Sequence, residues 1–128
     1  MLKKLKKRLK ELRVSFYKKT SEKRKYPRVP ISVRVVNITS GNFTYYLATN
    51  ISTGGMFLRT DEPLAEGTGL TLQFSLPDHD RKIQVEAKVV RSQRSVPGSP
   101  YPSGMGVKFT RLDPEDLKIV QGFVERKT

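Results

Sequence analysis

Apolar and polar residues alternate along much of this chain, which is the pattern of β-strands with one buried face. The clearest case is residues 70–76, where Leu70, Leu72, Phe74 and Leu76 are separated by single polar residues. Glycine, proline, asparagine and aspartate cluster between the alternating segments and predict turns there. The pattern predicts six strands, at residues 31–37, 43–49, 56–60, 70–76, 83–94 and 105–110.

A helix is predicted after the last strand. Asp113 is a good capping residue, Pro114 suits the first helical position, and the two acidic residues that follow favour the positive end of a helix dipole. Short strands with one terminal helix predict a mainly β fold, either a small antiparallel barrel or a sandwich, with helical covers. The predicted apolar side of this helix comprises Leu117, Val120, Phe123 and Val124.

The first 20 residues follow a different pattern. Apolar residues recur at spacings of three and four, and most of the other positions are Lys or Arg. This predicts a basic amphipathic helix over residues 1–20, followed by one folded domain over residues 21–128. The helix has three interpretations: it lies on an anionic membrane surface, it self-associates in a short coiled coil, or it packs on the barrel or a partner. Its apolar residues are Leu2, Leu5, Leu9, Leu12 and Phe16.

Charge is concentrated at the N-terminus. Up to residue 28 the chain has 13 Lys and Arg against 2 Glu, and the remaining 100 residues have 12 basic and 10 acidic side chains. The net charge of +13 therefore says little about the folded domain. A nucleic-acid-binding barrel needs aromatic and basic residues on one face. Tyr45 and Tyr46 are adjacent and point to opposite faces, so we expect no specific nucleic acid.

The sequence offers little for catalysis. There is no cysteine, no cluster with metal-ligand spacing, no Ser/His pair with a third member and no glycine-rich phosphate loop that opens a helix. His79 is the single histidine, and it follows Pro77 in a segment of turn composition, where a solvent-exposed side chain is expected. We therefore expect no catalytic residue, no metal site and no enzymatic activity.

Two arginines upstream of the first strand are the first candidate for ligand chemistry. Arg24 and Arg28 are separated by three residues, and Pro27 and the surrounding polar residues argue against a helix there. In an extended chain the two guanidinium groups can approach one ligand from different sides. A guanidinium group matches phosphate and stacks on bases, although charged segments of this kind are often plain solvated linkers.

A polar corner between the second and third predicted strands is the other candidate. Asn50 and Ser52 are small polar residues of the kind that forms turns, and Gly54 and Gly55 permit backbone angles that other residues avoid. The amide, the hydroxyl and the bare backbone can face a planar polar group such as a base edge. Taken alone, the corner is also consistent with an ordinary hairpin turn.

Together, Arg24-x-x-x-Arg28 and Asn50-x-Ser52-x-x-Gly55 resemble the signature pair of the PilZ domain, a family of bacterial receptors for cyclic di-GMP. The resemblance covers residues 21–126 and includes the flanking segments Pro27-Arg28-Val29-Pro30, Gly54-Gly55-Met56-Phe57 and Gly104-Met105-Gly106-Val107-Lys108-Phe109. It implies a six-stranded antiparallel barrel with the ligand at its rim. The arginines would hold phosphate and guanine, and the corner would meet the other guanine and the phosphate–sugar ring.

The resemblance also implies a function. The chain would be a cytoplasmic effector, in solution or peripheral at the inner face of the membrane, that binds cyclic di-GMP as a ligand and has no cofactor. Ligand binding would order the linker and change the position of the N-terminal helix, which would signal to a downstream protein. Lys23 could reach a second nucleotide, and Gly54 is a further candidate contact. The alternative is an interaction or membrane-surface adaptor of the same fold that binds no nucleotide.

Overall fold

The computed structural model describes residues 27–39, 41 and 43–128. The predicted helix over residues 1–20, its boundary with the folded domain, Lys23 and Arg24 all lie outside the described residues.

Within the described residues, six antiparallel strands form a closed barrel with the neighbour order β1-β2-β3-β6-β5-β4. Closure comes from pairing of β4 with β1, so the barrel prediction is confirmed and the sandwich is excluded. The predicted strands are also confirmed, with bounds that differ by a few residues at their ends. The strands are β1 Val29–Asn37, β2 Thr44–Ile51, β3 Gly55–Arg59, β4 Gly69–Phe74, β5 Ile83–Gln93 and β6 Gly104–Leu112.

The apolar side chains on the inward-facing side of each strand fill the barrel and form its core. Leu58 on β3 pairs with Met105 on β6, and both side chains are fully buried. Tyr46 is buried whereas its neighbour Tyr45 is exposed, which confirms that they point to opposite faces. Removing apolar surface from water stabilises the fold by roughly 25 cal/mol per Å², so the alternation itself holds the strands in register.

The predicted C-terminal helix is present as α1, Pro114–Lys127. An Asp113 side-chain oxygen accepts a hydrogen bond from the Glu115 N–H at 2.9 Å, which is the expected cap. Val120, Phe123 and Val124 on this helix are buried in the core. Within the described range, no helix is long and apolar enough to cross a bilayer.

One ion pair joins the helix to the barrel. The Arg81 Nε donates to the buried carboxylate of Asp116 at 2.7 Å, and its Nη1 lies 3.1 Å from Glu115. The first turn of α1 is thereby attached to the segment just before β5. The acidic residues were predicted to act on the helix dipole, and the structure gives them this second role.

Candidate functional site

Strand pairing brings the two halves of the predicted site together. Pro30 on β1 lies opposite Asn50 on β2, so Arg28, two residues before Pro30, lies beside the end of β2. The Arg28 Nη1 donates to the Asn50 Oδ1 at 3.4 Å. These residues are 22 positions apart in sequence. The contact therefore joins the arginine segment to the polar corner.

Ser52 closes the corner. Its N–H donates to the Gly55 carbonyl oxygen at 2.8 Å, and its hydroxyl accepts from the Gly54 N–H at 3.1 Å. The hydroxyl also lies 3.4 Å from the Gly55 carbonyl oxygen, to which it donates. The residue is 5% exposed, so its hydroxyl is used mainly within the corner. Local side-chain to backbone bonds of this type hold a turn in one conformation.

The corner is also fixed to β6. The Phe109 N–H donates to the Gly54 carbonyl oxygen at 2.8 Å. Gly55 pairs with Lys108, and a Cβ atom added at position 55 would lie 2.1 Å from the Val107 carbonyl oxygen. Gly55 is not in the left-handed region, so the structure requires glycine here for space between β3 and β6 rather than for an unusual φ.

Two lysines that were not predicted as site residues lie next to the corner. Lys108 lies opposite Gly55, and Lys88 on β5 lies opposite Lys108. Both side chains are exposed. Like charges that face each other across a sheet destabilise it. The pairing of β3 with β6 joins segments about 50 residues apart, so no local pattern could have indicated this neighbourhood.

The described part of the site suits recognition of an anionic, planar ligand. Arg28 supplies an exposed guanidinium group, Asn50 supplies an amide that is half-buried, and the lysines add positive charge. Among the described residues, no group of three His, Cys, Asp or Glu could hold a metal ion. His79 is exposed, as predicted, and its Nδ1 accepts from the Arg81 N–H at 3.0 Å.

Comparisons with known proteins agree with this fold. The family model of the PilZ domain matches residues 22–126. The chain is similar to the structure of the Bacillus subtilis inhibitor of motility, MotI/DgrA, with a TM-score of 0.70 and 25% sequence identity. That match covers 82% of this chain and 51% of the other, so the chain spans about half the length of the Bacillus protein.

Two further structures show the same fold at lower identity. The PilZ domain of Escherichia coli YcgR, solved with c-di-GMP, matches with a TM-score of 0.64 and 16% identity over 83% of this chain and 92% of that chain. The PilZ domain of CeSA from a cellulose-synthesizing bacterium matches with a TM-score of 0.55 and 13% identity over 78% and 96%. A comparison with curated proteins found no match.

Proposed function

Because this chain belongs to the PilZ domain family, we propose that it is a cyclic di-GMP receptor. In this proposal Arg24 and Arg28 clamp the ligand, and the corner of Asn50, Ser52 and Gly55 receives its second guanine. The family consists of regulatory binding domains, and we propose a binding role without catalysis, metal or cofactor.

The contact between Arg28 and Asn50 is the observation that carries the proposal. It places a charged, planar donor group within 3.4 Å of an amide that has both donor and acceptor atoms. Cyclic di-GMP presents phosphates, which suit the guanidinium group, and guanine edges, which suit the amide. A hydrogen bond to a charged group contributes about 1.5–3 kcal/mol net, so the arginines should dominate affinity and Asn50 should dominate base choice.

Ser52 and Gly55 have a different task in the same site. The Ser52 hydroxyl is buried and bonded to the corner, and Gly55 lets β3 approach the backbone of β6. We propose that both residues act mainly by fixing the position of Asn50 and of the backbone groups around Gly54. Lys23 would add a cation near the clamp that reaches a second nucleotide.

The relay to a partner is proposed to run through the segment before β1. Arg28 directly precedes β1, so a ligand held by both arginines would order the chain upstream of the barrel. We propose that this moves a basic amphipathic helix over residues 1–20 relative to the domain formed by residues 21–128. The helix would then act on a downstream protein, on an anionic membrane surface or on a second copy of the chain.

Calorimetric titration of cyclic di-GMP into the full chain tests the receptor proposal. We expect saturable binding, and for Arg28→Ala an affinity that is lower by about 10- to 150-fold, which corresponds to about 1.5–3 kcal/mol. Lys118→Ala is the matched control, because Lys118 is an exposed cation on α1, and it should bind like the unmodified chain. Equal affinity of all three proteins would contradict the proposed site.

The second candidate is a domain of the same fold that binds a protein and no nucleotide. An exposed apolar strip on β2 and the residue before it favours this candidate: Phe43 is 62%, Tyr45 59% and Leu47 41% exposed. Exposed apolar residues that adjoin one another often mark interaction surfaces. An absence of heat with cyclic di-GMP from a folded, intact chain would select this candidate.

A further inference from the structure

The barrel is closed by a short ladder that leaves most of one strand edge unpaired. Residues 29–35 of β1 have no pairing with β4 in the described part of the chain, although β4 pairs with β5 along its whole length. The two pairs between β1 and β4 are Val36 with Gln73 and Asn37 with Leu72.

The sequence explains why this ladder stops. Antiparallel pairing advances one residue on each strand, so a continued register would place Arg34 opposite Ser75 and Ser32 opposite Pro77. Proline has no N–H to donate, so it interrupts the hydrogen bonds of a strand pair and is rarely found in the middle of a sheet. β4 ends at Phe74, and the segment that follows it does not pair with β1. The two segments separate here and form a cleft.

Backbone groups of β1 face this cleft. The N–H of Ile38, the residue directly after β1, donates to the Thr71 carbonyl oxygen on β4 at 2.9 Å. Ile38 therefore directs its backbone polar groups toward β4. Residues two apart in a strand direct their N–H and C=O groups the same way. The backbone groups of Arg34 therefore point into the cleft beyond the last pair. An edge of this kind is a template for another strand.

The cleft has the size and charge of a peptide site. Its volume is about 430 Å³, and the cations that line it are Arg34 and Lys82, with no carboxylate among its lining residues. Tyr45 forms part of the wall, and its ring centroid lies 5.4 Å from the Arg34 guanidinium carbon. The wall continues outward into the exposed strip of Phe43, Tyr45 and Leu47. Positive charge beside apolar surface favours an acidic segment with apolar side chains.

We propose that this cleft binds an extended, acidic segment of a partner protein, which adds a strand to the free edge of β1. Backbone hydrogen bonds to Arg34 would supply part of the affinity, and Arg34 and Lys82 would select carboxylates. The upstream part of this chain is a poor occupant, because up to residue 28 it has 13 Lys and Arg against 2 Glu. Residues 29–128 of a second copy are a poor occupant as well, because they carry 12 basic against 10 acidic side chains and so have no acidic excess. The proposal does not depend on nucleotide binding.

A displayed library of random twelve-residue peptides, selected on the immobilised full chain, tests this proposal. We expect selected peptides to carry Asp or Glu at alternate positions, with apolar residues between them and no central proline. A synthetic copy of the best peptide should slow hydrogen exchange of the Arg34 amide. The same peptide with N-methyl groups at alternate residues should not bind, because it cannot donate to β1.

Charge-reversal variants locate the peptide. Arg34→Glu and Lys82→Glu, each made singly, should weaken peptide binding about tenfold, the effect of losing one charge-assisted hydrogen bond. Lys118→Glu has the same charge change on the exposed side of α1 and should bind the peptide normally. A lack of enriched peptides or an enrichment of basic sequences would overturn the proposal. So would variants Arg34→Glu and Lys82→Glu that bind the peptide as tightly as the original chain. Slow exchange of the Arg34 amide before any peptide is added would also overturn it, because the edge would already be covered by this chain or a second copy.

Discussion

Gly55 lies so close to the Val107 carbonyl oxygen that a Cβ atom at position 55 would be 2.1 Å from it, although the residue that pairs with Gly55 on β6 is Lys108. No Cβ atom tolerates such a distance to a backbone atom, so any other residue here has to push β3 away from β6. The corner that precedes β3 is bonded to β6 through the Gly54 carbonyl oxygen, and it would move with the strand. Glycine is therefore required at position 55 by the packing of β3 on β6, independently of ligand binding.

Gly55→Ala should accordingly lower the free energy of unfolding by about 1–3 kcal/mol, the usual cost of an extra atom in a tightly packed place. Urea denaturation of the purified variant measures this directly. Gly69→Ala is the matched control, because a Cβ atom at position 69 meets nothing within 4 Å. A Gly55→Ala protein as stable as the original would show that β3 and β6 can separate without cost, against the packing described above.

Ser52→Ala should loosen the corner without disturbing the barrel. The change removes the acceptor of the Gly54 N–H in a buried position, which costs about 1–3 kcal/mol when the donor is left unsatisfied. We expect faster hydrogen exchange of the Gly54 amide and weaker binding of cyclic di-GMP, with core amides such as that of Leu58 unaffected. If binding weakened while the Gly54 amide exchanged at its original rate, Ser52 would act on the ligand directly rather than through the corner.

The elements of this fold were predictable from local patterns, whereas their neighbours in space were not. Strict alternation predicts β5, and the Asp113-Pro114 pair predicts the start of α1, because both signals lie within one element. Pairing of β3 with β6 depends on packing between distant segments. The strand pattern left a barrel and a sandwich open, and only the family resemblance selected the barrel. Gly104 illustrates this: a Cβ atom there would lie 2.5 Å from the Phe57 ring, a neighbour 47 positions earlier.

The candidate site shows the same division. Asn50 and Arg28 were predicted as site residues, and the structure supplies the contact between them that their sequence positions could not. The buried hydroxyl of Ser52 and the nearby Lys108 follow from how the corner lies on β6, which is again a tertiary relationship. Their roles toward a nucleotide, and those of Arg24 and Lys23, stay predictions.

Acid should weaken one link between α1 and the barrel. Arg126 donates a hydrogen bond to the Asp78 carboxylate, and this bond, with the positive charges of Arg126 and Lys127, lowers the pKa of Asp78 below its ordinary value of 3.8. A folded-state pKa below the unfolded value stabilises the fold above pH 3.8, and this contribution is lost as the pH falls through the folded-state pKa.

Urea denaturation of the original chain and Asp78→Asn, at neutral pH and well below pH 3.8, checks this sign. We expect the original chain to be the more stable at neutral pH, with the difference shrinking in acid. Asp80→Asn changes an exposed carboxylate in the same turn and serves as the control. A difference that grew in acid would mean that the ion pair does not lower the pKa of Asp78.

Lys88 and Lys108 lie directly opposite each other on the outer face of β5 and β6, and Lys108 also lies opposite Gly55 on β3. Lys88→Glu would replace a like-charge pair with an attractive one, and we expect the free energy of unfolding to rise by about 0.2–1 kcal/mol. Lys88→Gln removes the repulsion without adding attraction and should give a smaller rise.

The Lys88→Glu change also lowers the positive charge beside the corner. We expect the variant to bind cyclic di-GMP more weakly than the original chain does, and this loss of affinity should be larger at low salt than at high salt, because salt screens exposed charges. Denaturation and titration of the two variants measure both effects. A gain in stability with unchanged affinity would place the ligand away from this pair, and a loss of stability would mean that the lysines are held apart in solution.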